Sequence, residues 1–394
     1  MGARGVGVLA LGLALGVVGC GGDDDSSASG GAGGASSGGN AGTGATSSGG
    51  AAGSGGASAG SGGSGGSGAA GTGGTGSIQH GADLTKADVG PGAIGMTGKT
   101  DISPGSVYTD EPSWVTRTIA AGGETIDGFT IPEGVWLVED CNVKNAFQIY
   151  GNEGSGTAFK GIVFRGCRMR VAETVIPTIY VREQANAPVW LLYCELGSPG
   201  PSEGSLVPIH NIDEGSQAGT YLYRNFISSA ATGIQINAEN GHVIENWVED
   251  MLLYEPSLHL NGFTTNGGIQ GIEILRNHIV LQATDSAGHS ITQTDAVSFF
   301  QDFADFKGTA PGGYQVRDNL LGGGGYSLYA GMNSGKPADS VQNMVVTGNR
   351  FTTNGTYPTA GFYGPVTATP EWGKLGNVWS NNTWADGPKA GQEL

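Results

Sequence analysis

Two histidines and one arginine in the middle of the chain have side chains that could transfer protons. His210 and His259 titrate close to neutral pH, so each could donate or accept a proton in a reaction. Arg182 could hold a carboxylate or act as the base of a β-elimination. These three residues are candidates for catalysis, and a purely structural role is the alternative for each of them.

Three carboxylates follow predicted strand ends, at the points where loops begin. They are Asp213, Glu239 and Asp302. Two carboxylates that face each other could form an acid/base pair for hydrolysis, and the same oxygen atoms could bind Ca²⁺. We therefore predict Asp213 and Asp302 as catalytic candidates beside the two histidines and the arginine, and Ca²⁺ is the cofactor that they could hold.

A short pattern that recurs nine times decides how these residues are positioned. Each copy has an apolar residue, two residues of any type, an Asn or Cys, one further residue and a second apolar residue. Successive copies are between 21 and 42 residues apart, so the pattern tolerates insertions. A period of about 30 residues is typical of a stacked repeat. The Asn or Cys positions are Cys141, Cys167, Cys194, Asn225, Asn246, Asn277, Asn319, Asn349 and Asn382.

The apolar residues within each repeat predict strands. They alternate with polar residues or stand in short β-branched runs, and Gly, Asn and Ser interrupt them. No segment keeps a helical apolar period over about a dozen residues, which argues against a helical solenoid. A repeat of this length that is made of strands is one coil of a parallel β-helix. We therefore predict an all-β fold, a parallel β-helix solenoid of nine or more rungs.

The Asn side chains of the repeat have two predicted roles. Asn tolerates the left-handed backbone conformation that a tight bend between strands requires. Its amide can also bond to the Asn of the neighbouring rung, which predicts a ladder of amides along the stack. Cys141, Cys167 and Cys194 occupy this position in the first three rungs, where the ladder is lost. We predict buried free thiols there, and a disulfide between neighbouring rungs is the alternative.

A second strand follows each Asn turn and forms a different face of the coil. Because strand side chains alternate, its apolar residues face the core and the others form an outward row. Amides, hydroxyls and Tyr rings in such a row suit the hydroxyls and faces of sugars. We predict a binding groove here, with a plain solvated face as the alternative. Its predicted binding residues are Tyr180, Gln235, Asn237, Asn261 and Tyr329. The outward row is predicted to consist of Gln148, Tyr180, His210, Gln235, Thr264, Ser298, Tyr329 and Tyr363.

Residues 1–19 have the features of a bacterial lipoprotein signal peptide. Arg4 supplies the positive start, and residues 6–18 form an apolar run that is too short to span a bilayer as a helix. The run leads into a Val-Val-Gly-Cys sequence, so we predict cleavage before Cys20 and acylation of its thiol. Gly21 follows this Cys, which favours the outer membrane or cell surface. An ordinary secretory signal with an incidental Cys is the alternative.

The composition changes sharply after the signal peptide. Residues 20–77 comprise the lipidated Cys and a run that is almost entirely Gly, Ser, Ala and Thr, which predicts a flexible tether. The folded domain is predicted over residues 78–394, with caps at both ends of its core. The formal net charge of −17 argues against nucleic acid as a partner. An acidic polysaccharide would need a basic patch or a divalent cation to bridge it to this chain. A membrane is expected to be reached through the lipid anchor only.

Three segments add a family resemblance to the predicted fold. They read His-Leu-Asn-Gly at residues 259–262, Gly-Gly-Gly-Tyr-Ser-Leu-Tyr at 323–329, and Gly-Asn-Val-Trp-Ser-Asn-Asn-Thr-Trp at 376–384. With the Asn turns, these segments make roughly residues 85–388 resemble the right-handed parallel β-helix proteins of the pectin-lyase-like superfamily. Within it the chain looks most like a group of secreted bacterial proteins with no settled activity. That group has Asp where this chain has Asn261, and Asn cannot serve as a general acid or base.

The resemblance implies a right-handed β-helix and an extracellular polysaccharide as the partner. The superfamily is rich in polysaccharide lyases, hydrolases and epimerases, whose substrate groove usually runs along one sheet face. It also contains tailspikes and adhesins without such activity, so the fold alone does not decide. The paired Asp signatures of polygalacturonases and the Arg-x-Pro-x-x-Arg segment of pectate lyases are absent from this sequence. We expect polysaccharide cleavage by β-elimination or hydrolysis, and a non-catalytic glycan-binding or adhesive surface protein is the alternative.

Overall fold

The computed structural model describes most of the chain after residue 76. The signal peptide, Cys20 and the tether that the sequence predicts lie outside the described residues. In the described part no helix is long and apolar enough to cross a membrane. The described residues are 77–107, 111–149, 159–171, 178–181, 187–197, 209–211, 219–253, 260–265, 270–285, 294–300, 306–307, 313–332, 335–354 and 357–394.

Three long sheets confirm the predicted parallel β-helix. We call them sheets A, B and C, and they contain ten, nine and ten strands. Each coil passes through sheet C, then sheet A, then sheet B, and returns to sheet C one rung further along. Neighbouring strands are parallel throughout, except for the first pair of sheet C, which is antiparallel.

The strands of each sheet are short and stack in chain order. Sheet A consists of Thr100–Ile102, Cys141–Val143, Arg168–Arg170, Glu195–Gly197, Phe226–Ser228, Trp247–Glu249, His278–Val280, Leu320–Gly322, Arg350–Phe351 and Thr383–Trp384. Sheet B consists of Ser106–Val107, Phe147–Ile149, Ile179–Val181, Ile209–Asn211, Thr232–Ile236, Asn261–Thr265, Asp295–Phe299, Tyr326–Tyr329 and Gly364–Thr367. Sheet C consists of Arg117–Thr118, Trp136–Glu139, Ile162–Arg165, Val189–Leu192, Thr220–Tyr223, Gly241–Ile244, Glu273–Leu275, Tyr314–Arg317, Met344–Thr347 and Val378–Ser380.

Short elements accompany the three long sheets. The two-stranded sheets pair Glu124–Ile126 with Phe129–Ile131, Met251–Leu253 with Ala283–Asp285, and Phe306–Lys307 with Val341–Gln342. The 3₁₀ helices of the described chain are Gly81–Asp83, Lys86–Asp88, Pro91–Ile94, Ala338–Ser340 and Gly387–Lys389.

The interior of the coil is a continuous stack of buried apolar side chains. The apolar residues that flank the ladder positions from Asn225 to Asn349, such as Val243 and Val248, are buried. Burial of each such side chain stabilises the fold by about 1.5–3 kcal/mol. Near the C-terminus Trp379 and Trp384 pack against this core and cover its last rung. The apolar pattern of the sequence therefore builds one core along the whole rod.

The predicted amide ladder is confirmed from Asn225 to Asn382. Each buried Asn donates from Nδ2 to the Oδ1 of the Asn in the next rung, for example at 2.8 Å from Asn225 to Asn246. The last of these bonds, from Asn349 to Asn382, measures 2.9 Å. The same Oδ1 atom of Asn246 accepts the backbone N–H of Asn225 at 2.9 Å. Because these groups are buried and satisfy one another, the ladder holds the rungs in register.

The left-handed conformation predicted at the ladder Asn residues is wrong by one position. Arg224, Glu245, Arg276 and Asp318 precede ladder residues and have φ between 52° and 55°, whereas the ladder Asn residues do not have positive φ. In two further rungs a Gly takes this place. The Asn must direct its side chain into the core to reach the ladder. The bend therefore falls on the preceding residue, whose side chain takes no part in the ladder.

Three buried free thiols continue the ladder position at the start of the rod, as predicted. Cys141, Cys167 and Cys194 are all free and buried. The Cys194 thiol points at the backbone oxygen of Phe164, 3.4 Å away. Burial raises the pKa of the Cys167 and Cys194 thiols. A thiol that is buried and protonated is a poor nucleophile, so these cysteines should be inert in the folded protein.

We expect a thiol reagent such as DTNB to leave Cys141, Cys167 and Cys194 unmodified until the protein is unfolded in denaturant. Peptide mapping after labelling in both conditions measures this directly. The variant Ser103→Cys places a thiol on an exposed position and should react at once in the folded protein. Rapid labelling of Cys194 without denaturant would contradict the buried ladder position.

An N-terminal segment, residues 80–100, runs lengthwise along the coil, and we call it the strap. Near its start the backbone N–H of Gly81 donates to the Asp318 oxygen at 2.7 Å, and at its end Thr100 pairs with Cys141 in sheet A. A Cβ on Gly81 would lie 2.0 Å from a backbone oxygen of the neighbouring coil, so a side chain cannot fit there. The strap thus connects late rungs of the rod with the first ones.

Candidate functional site

The register of sheet B confirms that the residues of the predicted outward row pair from rung to rung, except at its end. The residues that pair from rung to rung are Gln148, Tyr180, His210, Gln235, Thr264, Ser298 and Tyr329. The row then continues to Thr367 and not to Tyr363, because the last strand begins only at Gly364. The prediction for Tyr363 is therefore wrong, and this residue precedes the strand.

Most of the predicted catalytic residues fall in parts of the chain that the structure leaves undescribed. Arg182, Asp213, His259 and Asp302 lie outside the described residues. His210 belongs to the strand Ile209–Asn211, whose backbone register is described and whose side chains are not. In the described part of the chain no group of three or more His, Cys, Asp or Glu side chains could hold a metal ion. The catalytic roles and the Ca²⁺ site therefore stay predictions.

The predicted binding residues occupy different depths along sheet B. Tyr180 and Gln235 are half-buried on the outward row. Asn237 is buried immediately after the strand Thr232–Ile236. Glu239 lies on the corner that leads to sheet C, where its charge adds to the burial that raises the pKa of Tyr314. Asn261 pairs in register with Asp295, and Tyr329 pairs with Ser298.

Sheet B bends in its later rungs, where two successive residues face the core. In the strand Asp295–Phe299, Ala296 and Val297 both belong to the buried core. A Cβ on Gly262, one rung earlier, would meet the core side chains of Ile279 and Leu281 at 2.5 and 3.2 Å. The residues on either side of this inward pair therefore share the outer face. Side chains three positions apart can touch there, as those of Asp295 and Ser298 do, and we take this face of sheet B as the candidate groove.

Asp295 lies on this face and accepts hydrogen bonds from the Ser298 hydroxyl and the Tyr326 backbone. The Ser298 Oγ atom is 3.1 Å from Asp295 Oδ2 and 3.1 Å from Asn261 Oδ1. The backbone N–H of Tyr326 donates to Asp295 Oδ1 at 3.2 Å. Asp295 is 3 % exposed, Asn261 is 2 % exposed and Ser298 is fully buried, so the three side chains form a buried polar cluster, which we take as the floor of the candidate groove. Asn261 and Asp295 are directly paired in register.

The carboxyl of Asp295 is poised to exchange a proton near neutral pH. Burial raises its pKa to about 7, against the opposing effect of the hydrogen bonds from Ser298 and from the Tyr326 backbone. When protonated, Asp295 can donate to Ser298 Oγ, and the Ser298 hydroxyl can then donate to Asn261 Oδ1. When Asp295 is ionised, the one hydroxyl proton of Ser298 can bond either to Asp295 Oδ2 or to Asn261 Oδ1, but not to both. A buried carboxyl with this titration is a candidate functional group.

The triple-glycine segment places the next rung against Asp295. Gly324 has a φ of 82°, and a Cβ there would come within 2.7 Å of the Asp295 Cα atom. The Gly325 N–H donates to the Thr294 oxygen at 2.6 Å. These close approaches allow Tyr326 to lie in register with Asp295. A side chain on Gly324 would clash with the neighbouring rung, which explains why glycine stands there.

Aromatic rings line the groove on the side of the later rungs. The ring centroids of Tyr326 and Tyr363 are 5.6 Å apart, and those of Phe300 and Tyr329 are 5.1 Å apart. The Tyr329 hydroxyl donates to the Met332 oxygen at 3.3 Å, which holds its ring in place. The floor of the groove is thus polar, and its C-terminal side is aromatic.

Asp295 is not among the site residues predicted from the sequence, although the repeated pattern on sheet B indicates its position. In register, residues 261–264 and 295–298 both read as an Asn or Asp, a small residue, an apolar residue and a hydroxyl residue. Alignment of the repeats on sheet B would have placed Asp295 one rung beyond Asn261. The acid that the family resemblance expects at position 261 is thus present in the neighbouring rung.

A separate cavity of about 230 Å³ opens on sheet A. The rings of Trp247 and His278 stack there with centroids 3.5 Å apart. Burial and the charge of Lys86 lower the pKa of His278 to about 4, so this imidazole is neutral at physiological pH. Lys86 of the strap forms an ion pair with Glu249 beside these rings. Trp247 and Lys86 both bind Glu249, while the buried Nδ1 atom of His278 has no hydrogen-bond partner in the described part of the chain. The candidate groove on sheet B is the better candidate site, because it combines a buried carboxyl with amide and hydroxyl groups.

Comparison of the chain with protein-family models, with curated proteins and with solved structures finds no match. The strand order defines this protein as a parallel β-helix. The candidate groove along sheet B has polar and aromatic side chains. Its likeness to the pectin-lyase-like superfamily stays a prediction from the sequence motifs.

Proposed function

We propose that this chain binds an extracellular polysaccharide along sheet B and hydrolyses it at Asp295. The observation that carries the proposal is the buried carboxyl of Asp295, whose pKa of about 7 makes both of its protonation states available at neutral pH. Asn261 and Ser298 are hydrogen-bonding groups on the same floor, and Tyr326 adds an aromatic face. Such groups suit the hydroxyls and the apolar faces of sugars.

In the proposed reaction Asp295 is the general acid. Its proton passes to the glycosidic oxygen while the bond between that oxygen and the anomeric carbon breaks. A water molecule adds its hydroxyl to the anomeric carbon, and the remaining proton of that water returns to Asp295 through solvent. A second carboxylate would activate the water, and Asp213 and Asp302 are the proposed candidates for this role.

The cellular location of the protein is part of the same proposal. The lipobox-like sequence at Cys20 and the tether that follows it support a lipoprotein attached to the bacterial outer membrane or cell surface. The repeat and the three sequence motifs support membership in the pectin-lyase-like superfamily. A domain on a long flexible tether could reach a polymer beyond the membrane that anchors it.

Glycan binding without cleavage is the second candidate function. It is favoured by the exposed aromatic side chains of Phe362 and Tyr363, which can hold a sugar but cannot transfer a proton at neutral pH. A protein of this kind would be retained by a polymer and release no new reducing ends. β-Elimination would need a cation on a uronate carboxylate, a role for which Arg182 is the proposed residue.

The variant Asp295→Asn tests the proposed hydrolysis. We expect it to lower the release of reducing ends from a panel of polysaccharides by about 100-fold or more, because an amide cannot donate the proton that the leaving oxygen needs. Wild-type activity should decline as the pH rises through about 7, since the carboxyl loses its proton there. Reducing ends and the ultraviolet absorbance of unsaturated products are measured together.

A matched control is Asp339→Asn, which removes an exposed carboxylate outside sheet B and should leave the rate unchanged. Full activity of Asp295→Asn would refute the assignment of Asp295. Unsaturated products would indicate elimination and direct attention to Arg182, His210 and His259. Retention on a polymer without any product would establish the second candidate function.

A further inference from the structure

Exposed apolar side chains are concentrated at the C-terminal end of the rod. In the part of the chain that the structure describes, the large exposed ones are Phe362, Tyr363, Leu375 and Val378. Phe362 is 52 % exposed and Tyr363 is 68 % exposed, and both lie next to the groove of sheet B. Two adjacent aromatic rings that stay in water beside a cluster of polar side chains indicate a binding surface.

Backbone contacts hold this aromatic pair at the groove. The N–H groups of Phe362 and Tyr363 donate to carbonyl oxygens of the triple-glycine segment, each at 2.9 Å. A Cβ on Gly361 would come within 2.7 Å of the Tyr326 Cα atom, so the pair is drawn close to the rung that contacts Asp295. The position of the pair is therefore set by ordered backbone, while its rings remain open to solvent.

The two rings form a corner. Their centroids are 4.7 Å apart and their planes meet at 87°. On the other side, the ring of Tyr357 supports Phe362 at 5.3 Å. A flat sugar ring could lie on one aromatic face and place its edge against the other. We call Phe362 and Tyr363 the platform.

The platform is separated from Asp295 along the rod axis. Asp295 pairs with Tyr326, and Tyr326 pairs with Gly364, the residue that follows the platform. Two rung spacings correspond to about 10 Å. A sugar on the platform is therefore a different unit of the polymer from the one beside Asp295. Both sites lie on sheet B, so one extended chain along the groove can occupy both.

The charges of sheet B favour an uncharged polymer. None of the nine described strands of this sheet contains Lys or Arg, and Asp295 is their one acidic residue. The whole chain has a formal net charge of −17. A polyuronate would meet repulsion here and no strand-borne cation to hold its carboxylates. A neutral pyranose offers hydroxyls for the amides and an apolar C–H face for the aromatic rings.

We propose that the platform binds a pyranose ring of an uncharged polysaccharide, whose chain runs along sheet B past Asp295 toward the C-terminal end of the rod. This inference rests on the proposed function for the identity of the ligand as a glycan. It does not depend on cleavage. It also narrows the proposed reaction to hydrolysis, because a polymer without uronates lacks the acidic C–H that β-elimination needs.

Affinity electrophoresis of the full chain tests the platform. The gels contain hydroxyethylcellulose, β-mannan, xylan or dextran as uncharged polymers, and polygalacturonate or alginate as polyuronates. We expect at least one uncharged polymer to retard the protein, and the polyuronates to leave its mobility unchanged. Phe362→Ala and Tyr363→Ala should each weaken retention by about 3- to 10-fold, the effect of one lost aromatic contact.

Leu375→Ala is the matched control, because Leu375 is similarly exposed but precedes a strand of sheet C. It should bind as the wild type does, and so should Asp339→Asn, whose carboxylate is exposed and lies outside sheet B. Retention by polyuronates alone, unchanged retention of both platform variants, or no retention by any of the six polymers would overturn the proposal. If the platform variants bind weakly while Asp295→Asn keeps full activity, the platform stands and the proposed catalysis fails.

Discussion

Replacement of Asp295 by Asn should raise the free energy of unfolding by about 4 kcal/mol near pH 8, and by much less near pH 4. The reason is that the folded protein buries a carboxyl whose pKa is raised from 3.8 to about 7. Below pH 3.8 the carboxyl is protonated in both the folded and the unfolded chain, so it does not favour either state.

Between these two pKa values the folded protein keeps the Asp295 proton and the unfolded chain releases it. The free energy of unfolding therefore falls as the pH rises through this window, and the loss is complete above about pH 7. The Asn amide has no charge to bury. It can donate to Ser298 Oγ as the protonated carboxyl does, while its oxygen still accepts the Tyr326 N–H.

Urea unfolding of the wild type and of Asp295→Asn at several pH values measures this effect. The difference between the two proteins isolates Asp295 from the other groups that titrate in this range. Asp339→Asn should follow the wild type at every pH, because that carboxylate is exposed. A constant difference between wild type and Asp295→Asn across the pH range would show that the carboxyl does not have a raised pKa.

Asn277→Ala should lower the free energy of unfolding by about 3–5 kcal/mol, because it cuts the amide ladder in the middle of the rod. The Oδ1 atom of Asn277 accepts the backbone N–H of Asn246 at 2.8 Å, and its Nδ2 donates to the Val243 oxygen at 2.7 Å. Asn277 is fully buried, so no water can replace these bonds. Alanine leaves both backbone partners buried and unsatisfied.

Denaturant unfolding followed by circular dichroism measures the loss in Asn277→Ala. The control is Asn354→Ala, since Asn354 is exposed and its removal should change stability by no more than about 0.5 kcal/mol. Equal stability of the two variants would mean that the ladder bonds are balanced by solvation and do not hold the rungs together.

Asp295→Asn and Asn277→Ala are expected to change the free energy of unfolding in opposite directions for one physical reason. The Asn ladder is buried and every amide in it finds partners, so its loss is destabilising. Asp295 is equally buried, but above about pH 7 it carries a charge that its neighbours compensate only in part. A group that costs stability in this way is typical of a functional site.

The fold could be predicted well from sequence because the repeat is local and recurs. An Asn or Cys between two apolar residues appears in nine rungs, and a strand register that is out by one residue would expose the whole apolar set. The position of the left-handed residue could not be predicted in this way. The pattern marks the bend, and only the contact between neighbouring ladder amides decides which of two adjacent residues makes it.

The register of the row on sheet B could be predicted, and the environment of Asp295 could not. The alternation of side chains placed Ser298 and Tyr329 on one outward row, as the structure shows. Asp295 escaped attention because its importance depends on burial beneath neighbouring rungs and on Ser298 and Asn261, which are 3 and 34 residues away in the sequence. The expected end of the row at Tyr363 was wrong because the last strand of sheet B begins only at Gly364.

The sequence by itself determined the architecture of this protein, since each rung repeats the same local choice between core and surface. The tertiary structure alone decided three other features: the strap along the rod, the raised pKa of Asp295 and the exposure of the platform. Each of these depends on which distant segments meet, because burial, hydrogen bonding and solvent access are properties of an assembled surface. A local pattern of residue types contains no measure of them.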